Sequence, residues 1–378
     1  MLIASPTMAG ALGSLQILDF SRVLAGPLAT MVLADLGASV VKVERPGSGD
    51  ETRHWGPPYD EHGMATYFQA VNRNKTSIAL DLSSEYGLAR AHELASSADV
   101  IVENFRPGVM DGLGLGSDAL RREHPALVYC SITGFGAGGD GAAMPGYDLL
   151  VQAVGGLMSI TGEADGDPQK VGVALVDVIC GLFAAVGILA ALRHRERTGE
   201  GQLVQVDLMS SLLAALVNQG SAYTLAGVVG ARMGSAHPSI APYELLRAAD
   251  GHIVLAVGND RQFASLTRVL GCEELAGDPR YAVNAARVAN RDELRRVLQT
   301  CLLRRGAHEW VARLTAARVP AGEVNDVAGA FELAHRIGLA PIVEVPRGDG
   351  SSAALTRNPI TMSATPATYR TAPPQMPA

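Results

Sequence analysis

Short apolar blocks and longer mixed ones alternate along the first 207 residues. Residues 15–20 (LQILDF), 39–44 (SVVKVE), 76–82, 99–103, 127–131 and 202–207 are short and rich in Val, Ile and Leu, as strands buried on both faces are. Between them, residues 26–36, 85–97 and 117–124 carry helical spacing, the first with Pro27 in its opening turn. Strand, helix and strand within thirty residues make a βαβ unit, and its repetition predicts an α/β fold. The expected core is an open parallel Rossmann-like sheet with helices on both faces. Such a sheet receives ligands beyond the carboxyl ends of its strands.

The alternation stops at residues 171–192, VGVALVDVICGLFAAVGILAAL, where the only charge is Asp177. By length this run could cross a membrane. A carboxylate inside it and no companion span predict instead a helix that begins near Asp177 and is buried on all sides of a soluble core. Gly181, Ala184, Ala185, Gly187 and Ala191 give it little bulk, so neighbours can approach its backbone closely. Residues 147–158 and 208–226 also read as helices, and 161–170 as a polar turn.

Past residue 226 the texture changes. Residues 234–242 (GSAHPSIAP) form a linker, and a strand–turn–strand follows with Asp250-Gly251 at the turn. Helices are expected near 261–270, 291–303 and 307–317. The chain therefore divides into a large α/β domain over 1–226 and a smaller α+β domain over 227–335. Residues 336–378, proline-rich at their end, run extended back over the large domain.

Composition narrows the function. With 48% apolar and 18% charged residues the chain fills a large core. The formal charge of −7, from 31 basic and 38 acidic residues, gives no general affinity for nucleic acid or acidic membranes. Four scattered cysteines without a CxxC pair, and a start (MLIASPTMAG) without a basic leader, predict a reduced cytoplasmic protein. The nine histidines show no HExxH, and there is no GxSxG elbow or GxxxxGK[ST] loop. The literal GxGxxG at Gly134, Gly136 and Gly139 is not a dinucleotide fingerprint, because that motif must open a helix directly. Residues 134–146 (GFGAGGDGAAMPG) are expected to be a mobile lid over a pocket.

Candidate chemistry gathers at the expected strand ends. Arg22, Arg45 and Arg106 follow strands, and Arg73 and Lys75 precede one. Five basic residues at loop positions suit an anionic, phosphorylated ligand. Asp177 is the other candidate. A carboxylate in an apolar run has to be paired, to cap a helix, or to act chemically.

Several long motifs in unbroken order resemble the family III CoA-transferases of the CaiB/BaiF type. They are LQILDFSRVLAGP, LGASVVKVERPGSGD, NRNKTSIALDL, DVIVENFRPG, LVYCSITGFG, PGYDLLVQAVGGLMSITG and the run through Asp177 to RHRERTGEGQLVQVDLM. The similarity spans roughly residues 15–375. It implies acyl-CoA substrates, no cofactor beyond the coenzyme A thioester itself, no metal, and an interlocked homodimer. Asp177 falls on the family's nucleophilic aspartate. Arg22, Arg45, Lys75, Asn104 and Phe105 fall on positions that contact CoA, with Arg106 in the same motif. Val23, Leu24 and Tyr147 fall on the substrate side.

Departures from the family pattern bear on the reaction. Racemases of 2-methylacyl-CoA in this superfamily carry Gly-His-Asp where this chain has Gly146-Tyr147-Asp148. A phenol, with a reference pKa of about 10, is a poor general base near neutrality. Formyl-CoA:oxalate transferases carry Gln where Leu24 stands, and a Gly-rich loop that is not found after Pro242. An arginine expected at 112 is Gly112. CoA transfer between carboxylic acids is thus the leading reading. Racemisation, and acyl-CoA binding without catalysis, remain as alternatives.

Overall fold

The structure, a computed structural model, describes residues 10–377; residues 1–9, which bear on the leader, and Ala378 lie outside the described residues. The chain divides into two units. One takes the chain up to Leu157, Lys170–Val228 and everything from Ala340 onward; the other takes Met158–Gln169 and Val229–Leu339. Residues 158–169, expected within the large domain, therefore group with the smaller unit.

The first unit opens with β1 (Gln16–Asp19), α1 (Ala25–Asp35), β2 (Ser39–Glu44), α2 (Thr66–Gln69), β3 (Lys75–Ala79), α3 (Glu85–Ser96) and β4 (Val100–Glu103). It continues with α4 (Val109–Gly112), α5 (Ser117–Glu123), β5 (Val128–Thr133), α6 (Asp148–Val154), α7 (Leu175–Thr198) and β6 (Leu203–Asp207). The six strands form one sheet in the order β3-β2-β1-β4-β5-β6, with every pairing parallel. Alternate residues face opposite sides, as the pleat requires. Ile17, Val40, Val100 and Val128 pack with α1 and α7 on one side, and Leu18, Val43, Ile101 and Tyr129 form a second core on the other. Strand order reverses between β1 and β4, so the loops after these two strands flank the switch-point crevice.

Helix α7 departs from its expected setting. It is long and apolar enough to cross a membrane, and it packs against α1 and the sheet. Only one face is buried, through Val176, Cys180, Ala184, Ala185, Ile188 and Leu192. Leu182, Phe183, Val186 and Leu189 on the other face are exposed. Within one chain burial thus reaches one face of α7 and not all sides: hydropathy along a sequence reports how apolar a helix is, not how many neighbours reach it. The long helix expected over 208–226 is two, α8 (Leu208–Ala215) and α9 (Val217–Ala226), broken where Val217 takes φ 41°.

The second unit contains a three-stranded antiparallel sheet, β7 (Tyr243–Arg247), β8 (His252–Ala256) and β9 (Ala321–Glu323). Around its core lie α10 (Asp260–Leu270), α11 (Asn284–Ala289), α12 (Arg291–Leu302) and α13 (Ala307–Ala316), followed by α14 (Val327–Arg336).

The last residues rejoin the first unit through the hairpin β10 (Ile342–Pro346) and β11 (Ser352–Thr356) and then an irregular tail. Polar bonds staple that tail down. Asn358 and Arg73 both reach the buried Asp35 carboxylate, and Arg370 donates to the carbonyls of Ala34, Gly37 and Ala38 at the end of α1.

Candidate active site

The loops after β1 and β4 meet through one side chain. Asn104 accepts the Arg22 N–H at 2.8 Å and donates to the Arg22 carbonyl at 2.8 Å, joining the two sides of the crevice. Between them lies a cavity of about 310 Å³. Arg22, Val23, Phe105, Arg106, Tyr147 and Asp177 all line it, so seven of the sequence candidates, Asn104 included, come together. The Arg22 guanidinium stacks 4.5 Å from the Phe105 ring centroid and pairs with Glu51 at 3.1 Å. Arg22 and Phe105 also border a second cavity of about 440 Å³, whose far wall carries Arg45, Leu80 and Ser83. Arg45 and Arg106 are both exposed.

Three candidates line neither cavity. The Lys75 side chain is fully buried, and its ammonium is held by Asp19 at 3.1 Å, the Pro27 carbonyl at 2.9 Å and Asn72 at 3.0 Å. It stands at the amino end of its strand and ties β1 to α1, so where a contact with CoA was expected the structure shows a buried tie between two elements. Burial pushes this lysine down to about 8, against the pull of Asp19. Leu24 is buried ahead of α1 and lines neither cavity. Arg73, also expected at a ligand, is buried against Asp35. Gly112 ends α4 with open space beside it, and a side chain there would meet nothing within 4 Å.

Asp177 is the third residue of α7, which has Ala174 at its N-cap and no side-chain cap from there. Helix starts leave backbone N–H groups without partners. Here Asp148, the first residue of α6, takes them: its Oδ1 accepts the N–H of Val176 at 2.8 Å and of Asp177 at 3.3 Å. Gln152, one turn on, donates to the other Asp148 oxygen at 2.6 Å. The Asp177 carboxylate is therefore released from capping and lines the cavity half-buried. Burial pushes it up to about 7, and the Asp148 charge adds to that. Close packing below fixes its height. A Cβ on Gly181 would stand 2.5 Å from the Ala25 carbonyl oxygen, so only glycine lets α7 rest on the start of α1.

Residues 134–146, expected as a lid, form a loop with a short 3-10 turn at Gly139–Ala143. Its stem is pinched. A Cβ on Gly134 would lie 2.4 Å from the Gly146 Cα, and Met144 and Pro145 face the cavity. Val23 has φ 68°, a left-handed conformation that costs a β-branched residue about 1–3 kcal/mol.

Glu51 and Trp55 also line the cavity. Trp55 meets Tyr67 edge-to-face at 5.5 Å, and the Tyr67 phenol is raised first by burial and then by the charges of Asp177 and Asp148. Sequence reasoning passed over this group. The signal available was local density: Trp55, Tyr59, Tyr67 and Phe68 crowd one non-periodic stretch of a chain that is only 5% aromatic.

Residues 12–378 match the sequence profile described as CoA-transferase family III. The chain is 42% identical to the succinate–glutarate CoA-transferase of Agrobacterium fabrum, over 97% of this chain and 92% of that protein. It is 42% identical to the acetyl-CoA:oxalate CoA-transferase of Acetobacter aceti, over 86% of this chain and 83% of that one. Among solved structures, a CaiB/BaiF family protein from Brucella suis matches with a TM-score of 0.86 at 41% identity, over 97% of both chains.

Proposed function

The chain belongs to CoA-transferase family III, and from that premise we propose that it moves CoA from an acyl-CoA donor to a short dicarboxylic acid through covalent intermediates on Asp177. The observation that carries this reading is the division of labour at the start of α7. Asp148 caps the helix, so the Asp177 carboxylate has no structural employment and opens on the cavity.

The chemistry follows from a carboxylate that is ionisable yet poorly hydrated. An Asp177 oxygen attacks the thioester carbonyl, the C–S bond breaks, and CoA leaves as the thiolate. The product on the enzyme is a mixed anhydride. The thiolate then attacks the Asp177 carbonyl, releasing the donor acid and leaving an aspartyl-CoA thioester. The acceptor carboxylate attacks that thioester in turn, forming a second anhydride, from which the thiolate takes the new acyl group and frees Asp177. CoA enters as substrate, and no cofactor is needed.

In this reading the nucleotide end of CoA lies in the larger cavity beside Arg45, and the thioester passes Arg22 and Phe105 to reach Asp177. Racemisation would need a second base across the pocket, and Tyr147 occupies that motif position. The relatives named for succinate, glutarate and oxalate support a dicarboxylic acceptor. The exposed apolar face of α7, continued by Leu213 and Val217, supports a second copy of the chain as its cover, in an interlocked homodimer working in the cytoplasm.

The test is to incubate the protein with succinyl-CoA and a panel of glutarate, oxalate and mesaconate, following CoA esters by mass. New dicarboxylyl-CoA esters are expected, with transfer reduced about 10³-fold or more by Asp177→Asn. Full activity in that variant would overturn the mechanism.

A further inference from the structure

Behind the cavity wall lies a pair of charges that the mechanism does not use. Lys42 on β2 and Asp50 in the turn after it pair at 2.9 Å, both side chains wholly shielded from solvent. Burial alone would strip the charge from each. The opposite partner, together with Asp19 and Glu44 around Lys42 and the Thr52 hydrogen bonds on Asp50, outweighs it, raising the Lys42 pKa and lowering that of Asp50. A buried ion pair is a poor source of net stability, since well-packed apolar residues often do as well or better. What this pair does with its remaining hydrogen-bonding capacity is more informative.

It spends that capacity on the loop between β1 and α1. Lys42 Nζ donates to the Ser21 carbonyl at 2.7 Å, and the Val23 N–H faces the two Asp50 oxygens at 3.4 and 3.3 Å. Arg22, between them, is held by Asn104 from the other side of the crevice. Every peptide from Ser21 to Val23 is thus gripped, and the third is forced to φ 68°. A strained residue of this kind persists only where its surroundings over-determine it. Val23 then lines the cavity with Asp177, and Ala25, two residues on, bears against Gly181 one turn beyond Asp177.

We propose that Lys42 and Asp50 are positioning residues for acyl transfer: they clamp the Ser21 carbonyl and the Val23 N–H, and so fix the apolar wall that faces the Asp177 carboxylate. The inference rests on the reading of Asp177 as nucleophile. Neither side chain lines the cavity. Both act through Val23, whose placement sets the approach of the thioester, and small misplacements of a reacting group cost large factors in rate.

The experiment uses Lys42→Met/Asp50→Asn, which removes both charges together and leaves an oxygen to accept from Thr52 and Val23. Expected are a folded protein, CoA affinity within threefold of wild type, and kcat lower by about 30-fold with little change in KM. A purely structural pair would move the melting temperature and leave kcat alone; a folded double variant with kcat within twofold of wild type overturns the proposal. Should the double variant not fold, Val23→Gly decides. Glycine adopts φ 68° without strain, so stability should hold or rise while kcat falls tenfold or more, and unchanged kcat overturns the proposal. Asp177→Asn, assayed in parallel, separates the two ideas. Activity surviving there removes the nucleophile itself, whereas its loss beside a fully active double variant removes only the clamp.

Discussion

Asp148 caps the helix on which Asp177 stands, and does so with a charge of the same sign as the one it sets free. Its Oδ1 holds the N–H groups of Val176 and Asp177, the donors that a first-turn carboxylate would otherwise use to satisfy itself. Asp177 is left in a site that disfavours its charge, through burial first and the Asp148 carboxylate second. A carboxylate held there is more basic and more nucleophilic than a solvated one.

The first prediction is a pH dependence. In the proposed mechanism the group raised to about 7 must lose its proton to attack, so kcat/KM should rise with pH through about 7. Around it stand Asp148 on α6, Tyr67 on α2, Cys180 on α7 itself, and Arg22, Glu51, Arg106 and Tyr147 about the cavity. Asp148→Asn keeps a capping oxygen and removes one charge. The acid limb should move down by up to about one pH unit, yet stay above that of a free carboxylate because burial remains. A limb that does not move would show that Asp148 has no electrostatic hold on Asp177.

Stability should respond to the same group with the opposite sense to a salt-bridged carboxylate. The folded state holds a proton on Asp177 up to about 7, while the unfolded chain releases it near 3.8. Between those values the folded state binds more protons, so this residue's contribution falls as pH rises. Asp177→Asn should therefore melt higher than wild type at pH 8, by about 1–3 kcal/mol in stability, with the difference closing near pH 4. Calorimetric scans across that range check it, and a variant less stable at pH 8 would contradict it.

Basic residues should sort by their surroundings. Arg45→Ala removes an exposed guanidinium at the rim of the larger cavity and should weaken CoA binding about tenfold, least at high salt, without loss of fold. Lys75→Met removes a buried ammonium and takes from the buried Asp19 its ion-pair partner, so it should destabilise by about 3–5 kcal/mol. Binding titrations paired with denaturant unfolding separate the two effects. A Lys75 variant of native stability and poor CoA affinity would restore it to the ligand.

Packing under Asp177 is the last target. Gly181→Ala places a methyl group 2.5 Å from the Ala25 carbonyl oxygen, and both partners are backbone that cannot rotate aside. Overpacking of this kind costs about 1–3 kcal/mol. The variant should lose stability by that amount and lose kcat as α7 is lifted. Unaltered melting and activity would mean that the contact between α1 and α7 is slack.

What the sequence by itself determined was whatever follows from local pattern. Runs such as SVVKVE and VIVE, separated by helical spacing, specified six parallel strands, because side-chain period and burial are properties of neighbouring residues. The motifs also located Asp177 and the loops after β1 and β4, since an open parallel sheet presents its ligands at the carboxyl ends of its strands. Tertiary structure alone decided which charges were free. Arg45 and Lys75 look alike as basic residues beside strands, but one reaches solvent and the other reaches Asp19, 56 residues earlier. The same holds for Asp177, whose freedom depends on Asp148 supplying the cap across 29 residues of chain. It holds too for α7, whose apolar character was plain while the neighbours covering one face only were not. Local pattern encodes conformation and burial tendency, whereas the partner that neutralises a charge or closes a cap is chosen by contacts between distant segments.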